Sequence, residues 1–487
     1  MRLEFILSPL NHASGEEMFA WQVYAASPAL KDKIALRDHS QGDVFSWAEL
    51  ALSIGQCAEG LTAQGLKPGQ GLALCGKNSF DLLCHYLAGL QLGARVLGIN
   101  PAFTPQKRQE LCARNHISLC ILFEPPLAEG VAAGQKKIEK KHRSFPLATE
   151  YIASDLPLSP YTLTLTSGST GLPKAVVHDI AAHFANARGV CELTEFGSGN
   201  SWLLSLPLYH VSGQGIVWRW LYSGAELHLA AADFYASVAR ATHVSLVPTQ
   251  LSRFLAYLAE KGKQNVNTRH ILLGGSQIPL ALTQELAHWG ICSYSGYGMT
   301  EMASTVFAKK SDGSKGVGQA LNQREYLLVG EELWLRGAGL AKGYWQQGTI
   351  VPLTNEQGWL QTKDKARWVK GELEILGRLD NMFISGGENI QPEEIEGIIQ
   401  QFGGVKQVFV LPKNDPEYGQ RPVALIAFET RFDMEQVNKL KLWLSDKIEK
   451  YKQPVAYFPL HSEKLQEGAI KISRQRLQAE LIQLLGK

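Results

Sequence analysis

One short segment, residues 164–174, concentrates groups that bind phosphate. It reads Thr-Leu-Thr-Ser-Gly-Ser-Thr-Gly-Leu-Pro-Lys and overlaps an apolar stretch, Tyr161–Leu165, that is typical of a strand. Glycines let the backbone turn its N–H groups toward an anion, hydroxyls add donors, and Lys174 adds a positive charge. The segment is not a P-loop, because only two residues separate Gly171 from Lys174 and Ala175 follows the lysine. It predicts a phosphate-binding loop of another type.

Four later segments carry further polar, aromatic and charged groups, and they follow in a fixed order. They are residues 297–301 (YGMTE), 359–364 (WLQTKD), 377–390 (GRLDNMFISGGENI) and 468–474 (GAIKISR). Together with the phosphate loop they resemble the motifs of the adenylate-forming superfamily, which includes acyl- and aryl-CoA ligases, peptide-synthetase adenylation domains and luciferases. One motif alone is weak evidence, but five in the expected order identify the chain as a member.

The resemblance implies an ATP-dependent acid–thiol ligase. Such an enzyme forms an acyl-adenylate with release of pyrophosphate and then transfers the acyl group to coenzyme A. ATP, Mg²⁺ and coenzyme A are therefore the expected cofactors and co-substrates. An ATP-binding phosphotransferase or regulator is the alternative class, and it would release ADP or phosphate, or nothing, instead of pyrophosphate.

The resemblance also assigns residues to ATP. Because a carboxylate and ATP are both anionic, attack on the α-phosphate needs charge to be neutralised and the groups to be aligned. Thr300 would donate to the α-phosphate, Glu301 would hold Mg²⁺, and Tyr297 would face adenine. The implied ATP-binding residues are Thr166, Ser167, Gly168, Ser169, Thr170, Gly171, Lys174, Gly274, Gly275, Ser276, Tyr297, Gly298, Asp364 and Arg378, the last two at the ribose.

Two positions depart from the superfamily pattern. Lys363 stands where glycine usually precedes the aspartate, a change that a surface position tolerates and that leaves the ribose role of Asp364 expected. Near the C-terminus, Ile470 precedes the lysine of a usual Gly-Lys-Ile pattern. Lys471 is expected to bridge the carboxylate and the phosphate during adenylation, with Lys464 as the fallback and an ordinary surface lysine as the alternative.

The acyl pocket is expected between the phosphate loop and YGMTE. Residues 207–214 (PLYHVSGQ) resemble the superfamily's P-x-x-H segment, so His210 would lie beside the acyl group and join Lys471, Thr300 and Glu301 as a catalytic residue. The stretch 210–225 (HVSGQGIVWRWLYSGA) is similar to a bacterial subfamily whose acid is o-succinylbenzoate, in menaquinone biosynthesis. Another acyl- or aryl-CoA ligase stays open. The implied acid-binding residues are His210, Ser212, Gln214, Arg219, Thr249, Gly296 and Met299.

An aromatic dicarboxylate substrate sets one further requirement. Only the succinyl carboxylate is activated, so the ring carboxylate must stay charged in a mostly apolar pocket and needs a positive or strongly hydrogen-bond-donating partner. Arg219, nine residues after His210 in VWRWL, is the candidate, if the helix begins near Ser212. A structural ion pair or a surface position is the alternative for Arg219.

The same resemblance predicts a mobile C-terminal domain. One site must first bind ATP and the acid and then admit the thiol of coenzyme A, so a rotation about Asp380 would exchange two faces of a small domain. Ser385, Gly386 and Gly387 would leave room for the pantetheine arm. The expected organisation is a large domain over residues 1–377, a hinge at 378–381 and a small domain over 382–487.

The elements that hold these residues are predicted to be mixed α/β. Apolar runs at Lys33–Arg37, Gly71–Cys75 and Arg95–Ile99 alternate with helical periodicity, which favours mainly parallel sheets covered by helices. One predicted helix has apolar residues every three or four positions, at Trp47, Leu50, Ile54, Cys57 and Leu61. Short segments over 316–377 suggest a β-rich lobe, and the last residues suggest a small α+β domain.

Composition excludes several classes of protein. With 48 Lys+Arg and 46 Asp+Glu in 487 residues, the net charge of +2 argues against nucleic-acid binding driven by bulk charge. No apolar run approaches the ~20 residues of a membrane span. Seven scattered cysteines predict free thiols in the reducing cytoplasm. The sequence leaves a homo-oligomer open.

Overall fold

The structure is a computed structural model, and it describes residues 18–123, 143–146, 160–166, 173–262, 266–275, 278–385, 388–461 and 473–485. The chain divides into two compact units, one of Met1–Glu325 with Arg336–Gly358 and the other of Tyr326–Leu335 with Trp359–Lys487. The predicted mixed α/β class is confirmed. The predicted hinge at 378–381 concerns a rotation and stays a prediction.

The first unit contains a large sheet whose central strands are parallel and whose edges are antiparallel. Its described strands, in spatial order, are β15 (Gln319–Ala320), β14 (Ser304–Lys310), β13 (Cys292–Met299), β12 (His270–Leu273), β11 (His243–Leu246), β9 (Ser201–Leu203), β10 (Glu226–Leu229), β1 (Ile34–Asp38) and β2 (Asp43–Ser46).

A second sheet of the first unit also combines parallel central strands with antiparallel edges. Its described strands, in spatial order, are β19 (Thr349–Val351), β18 (Gly343–Gln346), β8 (Lys174–Asp179), β7 (Tyr161–Thr166), β4 (Arg95–Ile99), β3 (Gly71–Cys75), β5 (Ile117–Leu122) and β6 (Arg143–Pro146). β7, β4, β3 and β5 run parallel. The runs predicted at Gly71–Cys75 and Arg95–Ile99 are confirmed residue for residue, because fully buried parallel strands read as unbroken apolar runs.

Helices cover these sheets. In the described part of the first unit they are α1 (Ala20–Ala26), α2 (Trp47–Ala63), α3 (Phe80–Gln91), α4 (Pro105–Arg114), α5 (Ile180–Thr194), α6 (Val211–Ser223), α7 (Phe234–Arg240), α8 (Pro248–Lys261) and α9 (Leu280–His288). α2 begins with a capping box, since Glu49 N donates to Ser46 Oγ and Ser46 N donates to the Glu49 carboxylate. Its predicted apolar face is buried at Trp47, Leu50 and Ile54.

The second unit combines an antiparallel sheet with a smaller α+β sheet. The first consists of β16 (Arg324–Val329), β17 (Glu332–Gly337), β20 (Leu360–Val369) and β21 (Glu372–Arg378); the second of β23 (Glu388–Ile390), β22 (Phe383–Ser385), β25 (Gly419–Phe428), β24 (Val405–Asp415) and β26 (Tyr457–Pro459). The described helices are α10 (Pro392–Ile399), α11 (Met434–Leu444) and α12 (Arg474–Leu485). Ile395, Ile399, Val410 and Leu440 belong to the core of the smaller sheet.

The β-rich stretch predicted at 316–377 does not form one sheet. β18 and β19 extend the second sheet of the first unit, whereas β17, β20 and β21 pair with one another in the second unit. None of the described helices has the length and apolarity that crossing a membrane would need.

Candidate active site

The predicted acid- and adenine-binding segments lie at the carboxyl ends of adjacent parallel strands. β11, β12 and β13 pair in parallel; Thr249 follows β11, Gly274 and Gly275 follow β12, and the YGMTE segment comprises the last three residues of β13 and the two that come next. Ligands bind in open α/β sheets at this edge. Parallel pairing therefore collects segments that are far apart in sequence at one place.

The YGMTE segment makes a tight reversal between β13 and β14. Thr300–Met302 form a 3₁₀ turn, and Ala303 and Ser304 have φ of 53° and 113°. The carbonyl of Ser304 lies so close to Gly298 that a Cβ at that position would overlap it. Only glycine permits this approach, and the reversal leaves Thr300 half-buried and Glu301 9% exposed.

The phosphate segment begins in β7 and ends in β8. These two strands are antiparallel, and Thr166 pairs directly with Lys174. Both side chains are half-buried. The intervening Ser167, Gly168, Ser169, Thr170 and Gly171 lie outside the described residues. A threonine and a lysine side by side at a hairpin end agree with the predicted anion site.

Tyr344, a residue that the sequence interpretation missed, joins the two halves of this site. The Lys174 Nζ lies 5.1 Å from the centroid of the Tyr344 ring, and the Tyr344 hydroxyl donates to Glu301 Oε1 at 3.0 Å. The segment before Tyr344 also holds the turn, because Ala341 N donates to the carbonyl of Glu301 at 2.8 Å. Only a GYWQ strand pattern marks Tyr344, and that pattern gives no information about its partners.

The carboxylate of Glu301 suits a hard cation. It is nearly buried and accepts from Tyr344, yet no lysine, arginine or histidine of the described residues forms an ion pair with it. No cluster of three or more acidic, histidine or cysteine ligands occurs in the described part of the chain. One carboxylate beside a phosphate loop fits Mg²⁺, which is commonly held by one or two carboxylates together with substrate phosphates.

A second missed residue, His178, supports the turn from below. Its Nε2 accepts from Ala303 N at 3.2 Å, and the side chain is fully buried. Burial lowers the pKa of His178 to about 4. The ring is therefore neutral near pH 7, which is the state in which Nε2 can accept.

The predicted acid pocket is built on α6. This helix begins at Val211, so His210 occupies its N-cap position, and Gln214 and Arg219 are both buried. The Gln214 Oε1 accepts from Thr164 Oγ1 at 3.2 Å, which places α6 against β7 two residues before Thr166. The helix begins one residue before Ser212, so the condition set above for Arg219 is met.

Arg219 is a buried cation without a described acidic partner. Its side chain is 1% exposed, Nη1 donates to Ser245 Oγ at 3.3 Å, and no salt bridge joins it to any described carboxylate. A Cβ on Gly215 would lie 3.1 Å from Nη2 and 3.4 Å from Ser304, so the guanidinium folds back toward the end of the YGMTE turn. Burial lowers the pKa of Arg219 to about 10, which leaves it charged at neutral pH.

The remaining acid-pocket predictions fall at the same sheet edge or on α6. Ser212 and Met299 are half-buried, Gly296 lies within β13, and Thr249 is exposed in the first turn of α8. Their contacts with an acid stay predictions.

The predicted ribose and hinge residues lie together in the second unit. Asp364 and Arg378 pair across β20 and β21, and Arg378 Nη1 donates to Asp364 Oδ1 at 3.2 Å. Arg378 also holds both oxygens of Asp380, at 2.8 and 2.9 Å, and lowers the pKa of that carboxyl below its usual value. The aspartates predicted for the hinge and for the ribose thus share one guanidinium.

The lysine that replaces glycine before Asp364 has a left-handed backbone. Lys363 has φ of 60°, a conformation in which glycine carries no Cβ penalty. Lys363→Gly should raise the free energy of unfolding by about 0.5–1 kcal/mol, since relief of the ~1–2 kcal/mol left-handed cost exceeds the added chain entropy. Urea denaturation measures this change. Lys365→Gly, within the same strand, is the control and should destabilise the protein.

Several predicted residues lie outside the described part of the chain. They are Ser276, Gly386, Gly387, Lys464 and Lys471, together with the loop residues named above. Ser385, beside the predicted pantetheine glycines, is buried on β22 and pairs with Gly419 of β25. Its role toward coenzyme A stays a prediction.

Comparison with known proteins shows the family of this chain. The family model described as AMP-binding enzyme matches residues 23–345. The chain is 55% identical to the 2-succinylbenzoate–CoA ligase of Haemophilus influenzae over 460 residues, which cover 94% of this chain and 98% of the relative.

Solved structures extend the likeness to the whole fold. A variant of Escherichia coli MenE with bound OSB-AMS matches with a TM-score of 0.79 at 38% identity, covering 96% of this chain and 99% of that one. Bacillus subtilis o-succinylbenzoate coenzyme A synthetase in complex with ATP and magnesium ion matches with a TM-score of 0.75 at 23% identity, covering 91% and 95%. At that identity the second match bears on the fold alone.

Proposed function

Because this chain belongs to the AMP-binding enzyme family, we infer that it activates 2-succinylbenzoate (o-succinylbenzoate) with ATP and transfers it to coenzyme A, as a step of menaquinone biosynthesis. The five ordered motifs and the 55% identity to a relative of that activity support this function. A cytoplasmic location, where ATP and coenzyme A are both available, is part of the same proposal.

The reaction proceeds in two balanced steps. In the first, an oxygen of the succinyl carboxylate attacks the α-phosphorus of ATP; the new P–O bond gives the acyl-adenylate and the broken P–O bond releases pyrophosphate. In the second, the sulfur of coenzyme A attacks the acyl carbon; a C–S bond forms, the C–O bond to AMP breaks, and the thiol proton passes to solvent.

The predicted ATP-binding residues of the first unit each have a role in the first step, the formation of the acyl-adenylate. Lys174 and Thr166 bind the β- and γ-phosphates, and Thr300 donates to the α-phosphate. Glu301 would hold Mg²⁺, which when bound neutralises part of the polyphosphate charge. Tyr297 covers the adenine. The reaction then depends mainly on position and charge, as expected for attack of one anion on another.

The choice of acid rests on one observation, the burial of the Arg219 guanidinium. Arg219 is a fully buried cation that pairs with no carboxylate of the described residues. Such burial is costly to the folded protein, and a carboxylate supplied by the ligand would offset that cost. An acid with a second anionic group, besides the one that is activated, would supply this partner. 2-Succinylbenzoate meets this condition through its ring carboxylate.

A panel of acids tests the proposal. Pyrophosphate release, and then thioester formation, would be measured with 2-succinylbenzoate, with benzoate and with 3-benzoylpropionate, which lacks the ring carboxylate. We expect 2-succinylbenzoate to give the highest kcat/KM in both assays. Release of ADP instead of pyrophosphate would exclude the function, and preference for 3-benzoylpropionate would exclude the choice of acid.

The proposed rotation between the two steps gives a further prediction. Asp380→Pro fixes φ at this position and restricts Leu379, so one half-reaction should survive while the other falls by at least tenfold. Pyrophosphate release and conversion of preformed acyl-adenylate are measured separately. Asp380→Ala, which removes the contact with Arg378 but leaves the backbone free, is the control and should spare both. Loss of both steps in folded Asp380→Pro would show that Asp380 is not the pivot.

A further inference from the structure

The strand β18 places Tyr344 on the same sheet face as two functional side chains. Tyr344 pairs with Val176 of the antiparallel strand β8. Side chains at alternate positions of a strand share one face, so Lys174 and His178 flank Tyr344 as its diagonal neighbours. Strand register alone therefore brings the tyrosine between the phosphate lysine and the histidine beneath the Glu301 turn.

Both ends of the Tyr344 side chain contact a charged group of the site. The ring lies under the ammonium of Lys174, at 5.1 Å from centroid to Nζ, which is within the range of a cation–π interaction. The hydroxyl donates to Glu301 Oε1 at 3.0 Å. One rigid side chain therefore sets the separation between the Lys174 ammonium and the Glu301 carboxylate.

The alternative is that Tyr344 only fills space in the sheet. Its neighbour Trp345 does so: Trp345 points to the opposite face, is 3% exposed, and packs in the core with Leu97 and Leu163. Tyr344 is half-buried and directs its polar end to the site carboxylate. Trp345 therefore packs the core on one face of the strand, whereas Tyr344 contacts the site on the other face.

We propose that Tyr344 is a positioning residue for MgATP, because its hydroxyl orients Glu301 toward the metal and its ring orients Lys174 toward the phosphates. The proposal rests on the ATP-dependent function inferred above. Tyr344 takes no part in bond making. Its removal should weaken binding of the metal–nucleotide complex and leave the acid pocket unchanged.

Two substitutions separate the two contacts. Tyr344→Phe keeps the ring beneath Lys174 and removes only the hydroxyl. We expect the Kd of MgATP, measured by calorimetry, to rise about tenfold, while the Kd of metal-free ATP changes by less than twofold. Tyr344→Leu removes both contacts, so both Kd values should rise. The KM for 2-succinylbenzoate should stay within twofold in each variant.

A matched control and a double-mutant cycle make the test specific. Tyr24→Phe removes another buried tyrosine hydroxyl, whose partner is the carbonyl of Leu221, and should leave both ATP affinities unchanged. In a Glu301→Gln background, Tyr344→Phe should have little further effect on MgATP, because the two residues act through one contact. The cycle also gives an answer if Tyr344→Leu does not fold.

The outcomes distinguish this proposal from the proposed function. If Tyr344→Phe binds MgATP as the wild type does, or if its effect adds fully to that of Glu301→Gln, Tyr344 is not a positioning residue although the ligase function stands. If the wild type itself binds no ATP, the ligase function fails first.

Discussion

Replacing Arg219 by Gln should raise the KM for 2-succinylbenzoate by about 30- to 100-fold while changing the KM for ATP by less than threefold. A buried hydrogen bond to a charged group contributes about 2–3 kcal/mol, and one factor of ten corresponds to about 1.4 kcal/mol. Arg219 keeps its charge at neutral pH, since its pKa of about 10 lies well above the assay range. Initial rates of pyrophosphate release over a range of acid concentrations measure the change.

3-Benzoylpropionate supplies the matched control for this variant. It has no ring carboxylate, so wild type and Arg219→Gln should use it with similar kcat/KM. Arg219 also donates to Ser245 and lies over the Trp202 ring, at 4.8 Å. If the variant loses as much with the analogue as with 2-succinylbenzoate, Arg219 acts through these packing contacts and the ring carboxylate has another partner.

Replacing Lys471 by Ala should slow pyrophosphate release by about a hundred- to a thousandfold and leave thioester formation from preformed acyl-adenylate nearly intact. A charge directed at developing negative charge in the transition state contributes about 3–4 kcal/mol. Lys471 itself lies outside the described residues, but the chain is anchored three residues later. There Arg474 Nη2 binds the carboxylate of Glu396 at 2.7 and 2.9 Å.

The fallback lysine is the control for this experiment. Lys464→Ala should leave both half-reactions within about threefold of the wild type. A large loss of adenylation in Lys464→Ala with none in Lys471→Ala would transfer the role to Lys464. Equal losses of both half-reactions in Lys471→Ala would instead indicate a structural lysine.

Local sequence alone predicted the buried strands and the apolar face of an amphipathic helix, because both depend on short-range repeats of apolar residues. The apolar run at Gly71–Cys75 predicted a buried strand, and the spacing of Trp47, Leu50 and Ile54 predicted the face of α2. Each depends on a repeat of two or 3.6 residues and on local capping, so a window of a few residues contains the information. The ordered motifs likewise identified the superfamily.

Lys363 and Gly298 show that local sequence does not reveal whether a position requires glycine. The lysine at 363 looked like a tolerated surface change, and only the backbone showed that it occupies a left-handed position. At Gly298 the need for glycine comes from the carbonyl of Ser304, which the chain brings back after a reversal. Whether a position requires glycine depends on φ and on neighbours that the residue type does not specify.

The tertiary structure alone decided how the site is connected. Tyr344 meets Lys174 and Glu301 because β18 pairs with β8, a strand that lies far earlier in the chain. His178 meets Ala303 in another way, because its strand packs against the turn that follows β13. Strand pairing of this kind is set by burial of whole sheet faces and by register, and both are sums over many distant residues. The sequence could therefore name the charged groups of the site, but only the fold could place a tyrosine between them.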